Sequence, residues 1–283
     1  MSTTASPADG WDATTRIGVV VPSADVGPEA ELQAMSPASV TVHASRIDFG
    51  GMLPGGHMVA EKIPQDPITA FVEPPAVDNA VALLADSPLH ALVLGFTSSS
   101  YVLGAEGERA LYERLAPVTR DIPITGTARA AVAGFRALGA ERIAIVNPPW
   151  FDEKLSTQGQ EYFESQGFTV VHHGPVGLPS EQTAITPQNL SEWIRTTVAD
   201  ARPEAILVAG NGIRAVGTVK GLESELGFSV LTANQVVLWH ALHLAGAADA
   251  ARSVTDYGRL FQAAPAPATS VQATSVQATS KEA

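Results

Sequence analysis

The segment Arg16-Ile17-Gly18-Val19-Val20-Val21-Pro22 decides the fold, because it is an uninterrupted apolar run that ends at a proline. Such a run is typical of a parallel strand buried on both faces of a sheet. A similar segment, Arg142-Ile143-Ala144-Ile145-Val146-Asn147-Pro148, occurs in the second half of the chain. Ala91-Leu92-Val93-Leu94-Gly95 and Ala205-Ile206-Leu207-Val208-Ala209 form a second such pair. The two pairs predict that the chain has two similar halves. The alternative is that generic hydrophobic strands produce the same internal similarity.

Short apolar runs alternate with amphipathic stretches along the rest of the chain. We expect strands at 16–22, 39–46, 91–97, 122–126, 142–147, 168–173, 205–210 and 228–232. Helical patterns lie between them, at 76–86, 106–116, 128–138, 152–166, 188–200, 215–226 and 235–246. This alternation predicts an α/β fold of two pseudosymmetric, Rossmann-like domains with parallel sheets. Because ligands of open α/β sheets bind at the carboxyl ends of the strands, we expect the active-site cleft between the two domains.

The composition changes at both ends of the chain. Residues 1–15 are small and polar, and residues 263–283 contain a repeated Ala-Thr-Ser-Val-Gln unit with nothing large to bury. Both segments are therefore predicted to be disordered, the second being a solvated extension or, alternatively, an interaction tail. Between them, residues 16–122 together with 233–262 are predicted to form the first domain, and residues 123–232 the second.

Composition also excludes several classes of function. The 283 residues include 17 Lys and Arg against 29 Asp and Glu, a net charge of -12, so we expect no nucleic-acid or anionic-membrane partner. No apolar run approaches the roughly 20 residues of a membrane-spanning helix, and the N-terminus lacks a signal pattern, which predicts a cytoplasmic protein. The chain has no cysteine, which excludes disulfides, thiolate metal sites and thiol nucleophiles.

A cluster of hydroxyls, Phe96-Thr97-Ser98-Ser99-Ser100-Tyr101, follows the third predicted strand. Hydroxyls and backbone amides that converge at a strand end suit a carboxylate or an enolate oxygen. The alternative is an ordinary helix N-cap, where Ser and Thr are common whatever the function. We predict that Thr97 and Ser98 are catalytic, and that Ser100 and Tyr101 bind substrate.

The matching turn in the second half is Ala209-Gly210-Asn211-Gly212-Ile213-Arg214. Gly210 and Gly212 would let the backbone approach a ligand closely, and the Asn211 amide can donate or accept a hydrogen bond, so we predict a catalytic Asn211 flanked by substrate-binding glycines. Arg214 would either pair with a substrate carboxylate or lie in solvent as a helix residue.

Further candidates lie at the ends of the first strand of each half and in a glycine-rich loop. Ser23 and Asn147 can face the cleft, and Trp150 would either wall it or belong to the core. His57 ends the stretch Gly50-Gly51-Met52-Leu53-Pro54-Gly55-Gly56-His57, which is either a lid over the cleft or a surface loop. We consider His57 a candidate proton donor.

Motifs for bound cofactors and metals are missing from the sequence. Val21-Pro22-Ser23-Ala24-Asp25 stands where a dinucleotide-binding protein has Gly-x-Gly-x-x-Gly, and no Gly-x-Ser-x-Gly elbow occurs. His240 and His243 are three residues apart but have no acidic ligand at suitable spacing. We therefore expect no cofactor and no metal.

These strand-end segments together resemble the aspartate/glutamate racemase superfamily and, within it, the maleate isomerase and arylmalonate decarboxylase group. The resemblance covers roughly Arg16 to Phe261. It is carried by five segments, 17–23, 95–101, 134–144, 233–242 and 257–261. It implies two pseudosymmetric α/β domains, cofactor-independent chemistry on a small carboxylate, and homo-oligomers. In the decarboxylase, the hydroxyls that match Thr97 and Ser98 help to form a dioxyanion hole.

The resemblance also implies where this chain departs from its family. Relatives use one or two cysteines, and the corresponding positions here are Phe96 and Gly210. Racemisation by paired thiols and isomerisation by thiolate addition are therefore not available. An oxyanion cradle for an enolate-like intermediate remains, so we expect a lyase, first of all a decarboxylase, or an isomerase. The proton would come from water, from Ser98 or Ser100, or from His57. The alternatives are a non-catalytic carboxylate-binding protein and a hydrolase or hydratase that uses an activated water.

Overall fold

A computed structural model describes residues 10–266 of the chain. The strands in this range are β1 (Thr15–Pro22), β2 (Val40–Ile47), β3 (Ala91–Leu94), β4 (Ile124–Gly126), β5 (Arg142–Asn147), β6 (Thr169–Pro175), β7 (Ala205–Val208) and β8 (Ser229–Thr232). The α-helices are α1 (Gly27–Met35), α2 (Gln65–Phe71), α3 (Ala76–Ala85), α4 (Thr97–Leu115), α5 (Thr127–Ala137), α6 (Glu153–Ser165), α7 (Pro187–Thr197), α8 (Val219–Leu226), α9 (Ala233–Leu244) and α10 (Ala248–Arg252).

The strands form two parallel sheets of identical topology. The first has the order β2-β1-β3-β4 and the second the order β6-β5-β7-β8. The central strands are the two pairs of similar segments, β1 with β5 and β3 with β7. Strands β3, β5 and β7 are almost wholly buried, as parallel strands covered on both faces should be. The predicted α/β fold of two pseudosymmetric halves is confirmed.

Local sequence signals explain where several helices begin and end. Thr186 and Asn189 form a capping box at the start of α7, and Thr232 and Gln235 form one at the start of α9. Helix α8 ends at Gly227, which has a φ of 80°, a conformation that costs glycine little. Helix α9 then packs against β3 and β4, so the chain returns to the first sheet after β8.

The hydroxyl cluster lies on a different element from the one predicted. Strand β3 ends at Leu94, and residues 97–101 form the first turn of α4, which was expected to begin at residue 106. Helix α4 is kinked at Gly104, whose backbone is not helical, with a φ of 65° and a ψ of 176°. The sequence pattern also missed α1, α2 and α10, which are short helices of five to nine residues.

The predicted limits of the domains need correction. Strand β4 pairs with β3, with Val93 opposite Thr125, so the boundary placed at residue 123 is wrong: the first sheet extends to Gly126. Residue 15 was included in the predicted disordered segment, but Thr15 is the first residue of β1 and pairs with Val40 of β2. The carbonyl of Ala263 accepts a hydrogen bond from Trp239 Nε1 at 3.0 Å. The remaining parts of the two predicted tails, 1–9 and 267–283, lie outside the described residues.

One stretch, Gln65–Ala85, is apolar and long enough by composition to cross a membrane. It folds as two helices, α2 and α3, separated by Pro74 and Pro75. Helix α3 packs on β1 and β2, and α2 packs on α4. The buried side chains of the two helices, among them Ile68, Phe71, Val77 and Val81, belong to the core of the first half, whereas Leu83 is exposed.

Candidate functional site

A small cavity of about 30 Å³ lies where the carboxyl ends of the two sheets meet. Residues from four strand-end turns line it, two turns from each half, together with the loop 49–63. The lining residues are Pro22, Asp25, Phe49, Met52, Met58, Ile63, Phe96, Thr97, Ser98, Trp150, Phe151, Gln182, Gly210 and Gly212. The cavity occupies the place where the sequence predicts the active site.

Ser98 is a polar side chain that is free to bind a ligand in this cavity. It is 2% exposed, and among residues 10–266 its hydroxyl has no hydrogen-bond partner. It lies in the first turn of α4, which no side chain caps. The first amides of a helix have no partner within the helix and carry partial positive charge. Ser98 and this helix turn together form a group of donors suited to an anion.

Thr97 also lines the cavity, but its hydroxyl is already engaged. It donates to Asn211 Oδ1 at 2.8 Å and accepts from the Gly210 amide at 3.1 Å. Thr97 belongs to the first half, and both partners belong to the second. The hydroxyl predicted to hold substrate therefore joins the two halves at the edge of the cavity.

Asn211 lies behind the cavity, where protein groups occupy its amide. Its Oδ1 accepts from Thr97 and also from Thr127 Oγ1 at 3.0 Å, and its Nδ2 donates to Asn234 Oδ1 at 3.0 Å. Asn211 does not line the cavity. That Asn211 binds substrate oxygens stays a prediction, and in this structure its amide is directed into a buried network.

The glycines predicted to allow close approach do line the cavity. Gly210 has a φ of 85°, and a Cβ at that position would lie 2.1 Å from Pro148 Cγ. A Cβ on Gly212 would lie 2.3 Å from Gln182 Nε2 and 2.8 Å from Asp25 Oδ2. A Cβ at Gly210 would therefore collide with the Pro148 ring, and one at Gly212 would displace the side-chain ends of Gln182 and Asp25.

Phe96, the other position predicted to replace a family cysteine, also lines the cavity. Its ring packs on Phe71 of α2, with ring centroids 4.2 Å apart. An apolar ring thus occupies the place where a thiol was expected in relatives.

Apolar side chains close the remainder of the cavity. Trp150 is 4% exposed and forms part of the wall. The glycine-rich loop covers the cavity with Met52 and Met58, and is fastened to the second half by the Ile63 amide, which donates to the Trp150 carbonyl at 2.9 Å. The loop is therefore placed as a lid.

His57 lies on the outside of this loop. Its side chain is 66% exposed, and its Nδ1 is 3.1 Å from Glu181 Oε1. It does not line the cavity. That His57 donates a proton stays a prediction, and in this structure the loop turns its imidazole away from the cavity.

Five other predicted site residues do not line the cavity: Ser23, Ser100, Tyr101, Asn147 and Arg214. Ser23 and Arg214 are exposed, so Arg214 is a solvated residue as in the alternative interpretation. The Tyr101 hydroxyl donates to Asn147 Oδ1 at 3.4 Å, which joins the two halves inside the core.

Ser100 is directed away from the cavity, and its hydroxyl donates to the buried Glu108 at 2.7 Å. Helical geometry explains the direction of Ser100, because a residue two places after Ser98 does not share its face of the helix.

Asp25 and Gln182 are cavity residues that the sequence interpretation missed. Asp25 is 4% exposed, and its Oδ1 accepts from the Gly27 amide at 2.9 Å and from Gln182 Nε2 at 3.2 Å. Burial raises the pKa of the Asp25 carboxyl, while these hydrogen bonds and Arg46 oppose the rise. The available signal was an acidic residue two places after Ser23 in a strand-end turn.

A second buried carboxyl, Glu31, supports the site from behind. Its Oε1 accepts from the amides of Ala215 and Val216 at 2.7 and 3.0 Å, and its Oε2 accepts from Asn234 Nδ2 at 2.8 Å. Burial raises the pKa of Glu31 against these hydrogen bonds. Because Asn234 also contacts Asn211, a buried polar chain runs from α1 through α9 to the cavity wall.

No cluster of three or more His, Asp or Glu side chains arranged for a metal ion occurs in residues 10–266. The donors at the cavity are instead hydroxyls and amides, with one carboxyl. This set fits an organic anion held by hydrogen bonds rather than a hard cation, which needs several oxygen ligands.

Two parallel four-stranded sheets of identical topology, with a cavity where their carboxyl ends meet, define a class of two-halved α/β proteins. The family model of arylmalonate decarboxylase matches residues 17–261, and the chain belongs to this family. This match confirms the predicted maleate isomerase and arylmalonate decarboxylase group.

Curated relatives and solved structures agree with this assignment. Arylmalonate decarboxylase from Bordetella bronchiseptica is 27% identical over 251 residues, which is 88% of this chain and 97% of the relative. Maleate isomerase from Nocardia farcinica is 27% identical over 231 residues, 77% of this chain and 85% of the relative. The structure of the maleate isomerase from Pseudomonas putida S16 with maleate has a TM-score of 0.73 at 23% identity, covering 89% of this chain and 98% of that one. These relatives are a lyase and an isomerase.

Proposed function

We propose that this protein is a cofactor-independent enzyme that acts on a small carboxylate through an enolate-like intermediate, with decarboxylation of a substituted malonate as its reaction. The observation that carries the proposal is the unpartnered, buried Ser98 hydroxyl at the uncapped first turn of α4, among the residues that the structure describes. Its support from relatives is the match to a decarboxylase over 97% of that protein's length.

Such a site lowers the barrier by binding charge that develops during the reaction. When a malonate loses CO2, the electron pair of the broken C–C bond delocalises onto the remaining carboxyl group and forms an enediolate. The Ser98 hydroxyl and the first-turn amides of α4 are donors for the enediolate oxygens. One preorganised donor of this kind is worth about 3 kcal/mol of the barrier.

The absence of cysteine favours decarboxylation over isomerisation of an alkene. A Nocardia farcinica maleate cis–trans isomerase has been solved with a covalently bound succinylcysteine intermediate, which requires a thiol. This chain contains none. A Cβ on Gly210 would lie 2.1 Å from Pro148 Cγ, so the backbone there is also shaped for a residue without a side chain.

The cavity must enlarge before it accepts a malonate, because about 30 Å³ is roughly the volume of one water molecule in the liquid. The loop 49–63 is the element that can open it, since Phe49, Met52, Met58 and Ile63 of this loop cover the cavity. Closure over the substrate would exclude water from the enediolate.

The test is to incubate the protein with phenylmalonate, methylphenylmalonate and maleate in deuterated water and to follow each by NMR. We expect release of CO2 from a malonate and one solvent deuterium at the α-carbon of the product. Turnover should fall by about a hundredfold to a thousandfold in Ser98→Ala. A matched control is Ser36→Ala, in which the lost hydroxyl donates only to the Leu32 carbonyl at the end of α1. Stabilisation by these acids without any turnover would instead indicate a carboxylate-binding protein and overturn the proposal.

A further inference from the structure

Asp25 is the one residue lining the cavity, among those the structure describes, whose side chain exchanges a proton in the ordinary pH range. The other lining residues are apolar, hydroxyl, amide or glycine residues. His57, predicted to donate a proton, is on the outer face of the loop. Any proton that a titrating side chain delivers inside the cavity therefore comes from Asp25.

The hydrogen bonds of Asp25 distinguish its two oxygens. Oδ1 accepts from the Gly27 amide and from Gln182 Nε2, whereas Oδ2 has no donor among residues 10–266. Oδ2 lies beside Gly212, where a Cβ would approach it to 2.8 Å. An oxygen that accepts two hydrogen bonds is held in place as an acceptor, so Oδ2 is the oxygen that carries a proton in the neutral carboxyl.

The turn that holds Asp25 is itself fixed by Arg46. The guanidinium of Arg46 donates to the carbonyls of Pro22, Ser23 and Asp25, at 3.3, 3.2 and 2.9 Å, and pairs with Glu29. Arg46 therefore holds the backbone of the turn that carries the Asp25 side chain.

The surroundings favour the neutral carboxyl. Burial raises the pKa of Asp25, and Glu29 adds to the rise, whereas Arg46 opposes it. Glu31 is a further buried carboxyl whose pKa is raised in part by Asp25. Glu181, the residue before Gln182 in the chain, carries another carboxyl, and this carboxyl lies 3.1 Å from His57 Nδ1. A bound malonate would bring a further negative charge, which also favours the protonated form.

We propose that Asp25 is the general acid of this enzyme and that the proton on its Oδ2 moves to the α-carbon of the enediolate. The proposal rests on the proposed function. The C–C bond to the leaving carboxylate breaks and CO2 departs, the electron pair remains in the enediolate, and the new C–H bond takes the Oδ2 proton. The Asp25 carboxylate then takes a proton from water, which restores the starting state. This reaction requires neither a thiol nor a redox partner.

The decisive comparison is between Asp25→Asn and the wild type with methylphenylmalonate as substrate. Asn retains an oxygen that can accept from Gly27 and Gln182, so the fold should persist, but it has no acidic proton. We expect kcat to fall by at least about a hundredfold, the usual contribution of general acid catalysis. The product, 2-phenylpropionate, should be one enantiomer in the wild type and racemic in the variant, because bulk water then delivers the proton. Asp48→Asn, which changes an exposed carboxyl just after β2, is the matched control and should behave as the wild type.

Two further readouts separate a proton donor from a structural role. The kcat of the wild type should fall as pH rises through the pKa of Asp25 in the complex, and Asp25→Glu should recover part of the activity lost in Asp25→Asn. Infrared difference spectra of the phenylmalonate complex at neutral pH should contain a protonated-carboxyl band that is missing in Asp25→Asn and present in Asp48→Asn.

The outcomes distinguish this proposal from the proposed function. A wild type that decarboxylates, with an Asp25→Asn variant of equal kcat and equal enantiomeric purity, overturns the role of Asp25 alone. A wild type that decarboxylates none of the malonates overturns the proposed function. A wild-type complex without the protonated-carboxyl band contradicts the role of Asp25 whether or not turnover is seen.

Discussion

Thr97 Oγ1 and Asn211 Oδ1 are 2.8 Å apart, and the hydrogen bond between them joins residues 114 positions apart in the chain. Thr97 begins α4 of the first half, and Asn211 follows β7 of the second half. Because Thr127 donates to the same oxygen, Asn211 receives two hydroxyl donors in the buried network behind the cavity. This bond fixes the distance between the two strand ends, while the neighbouring Ser98 is left to contact a ligand.

Ser98→Ala should abolish most of the activity without loosening the fold. The Ser98 hydroxyl has no partner within residues 10–266, so its removal leaves no protein group unsatisfied. We expect kcat/KM to fall by about a hundredfold to a thousandfold, while urea denaturation shows a smaller loss of unfolding free energy than in Thr97→Ala, because no buried partner is left unsatisfied. A variant with full activity would show that Ser98 does not bind the intermediate.

In contrast to Ser98→Ala, Thr97→Ala should destabilise the protein. It removes a buried hydroxyl that donates to Asn211 and accepts from the Gly210 amide. We expect the free energy of unfolding to fall by about 1–3 kcal/mol, since a buried amide is left unsatisfied. Thr97→Ser keeps the hydroxyl and is the control that should retain most of the stability. Equal stability of all three proteins in urea denaturation would contradict this role.

Glu31→Ala should be more destabilising than Glu31→Gln. The carboxyl accepts from two backbone amides of the second half and from Asn234 Nδ2, and Ala removes all three acceptor contacts. We expect a loss of about 3 kcal/mol for Ala, because several buried donors lose their acceptor. Gln retains one acceptor oxygen and should lose less. Thermal denaturation of the wild type and both variants at one pH measures the two losses of stability. A smaller loss in Glu31→Ala than in Glu31→Gln would contradict this prediction.

Gly212→Ala should inactivate the enzyme through a steric effect. The added Cβ would lie 2.3 Å from Gln182 Nε2 and 2.8 Å from Asp25 Oδ2, so both side chains must shift. Gly221→Ala is the matched control, because a Cβ there meets nothing within 4 Å and Gly221 lies within α8. There the change should raise stability by up to about 1 kcal/mol. Assays of turnover and of thermal unfolding on the two variants provide the comparison, and a fully active Gly212→Ala would contradict the steric argument.

His240 should make the stability of the protein depend on pH. Burial lowers the pKa of His240 to about 4 from its ordinary value of 6.5, and its Nδ1 lies 2.8 Å from Thr125 Oγ1. The unfolded chain takes up the proton first as pH falls, so stability present above pH 6.5 is lost between 6.5 and about 4. In the wild type, we expect this protonation to lower the free energy of unfolding by an amount on the order of 2 kcal/mol. His240→Gln should not show this decrease. Urea denaturation at several pH values checks this, and a pH dependence in His240→Gln equal to that of the wild type would contradict it.

Much of the site was predictable because strand ends are predictable. Thr97, Ser98, Trp150, Gly210 and Gly212 all follow strands recognisable as buried apolar runs, and all line the cavity. Parallel strands bring their carboxyl ends to one edge, so residues that follow them converge whatever the details of the loops. The resemblance to the family added two predictions, that the hydroxyls bind an anion and that Phe96 and Gly210 stand at the positions of family cysteines.

The sequence by itself determined the repeated α/β architecture, the carboxyl-end location of the site and the absence of thiol chemistry. The physical reasons are that apolar periodicity specifies buried strands and that an amino acid missing from the chain cannot react. Tertiary structure alone decided which polar side chains face the cavity. Ser23 points outward and Asp25 inward, and Asn211 is turned into a network with Asn234, because backbone torsions beyond a strand end and contacts with distant segments set these directions. Hydrogen-bond partners 114 residues apart are fixed only when the two halves pack together.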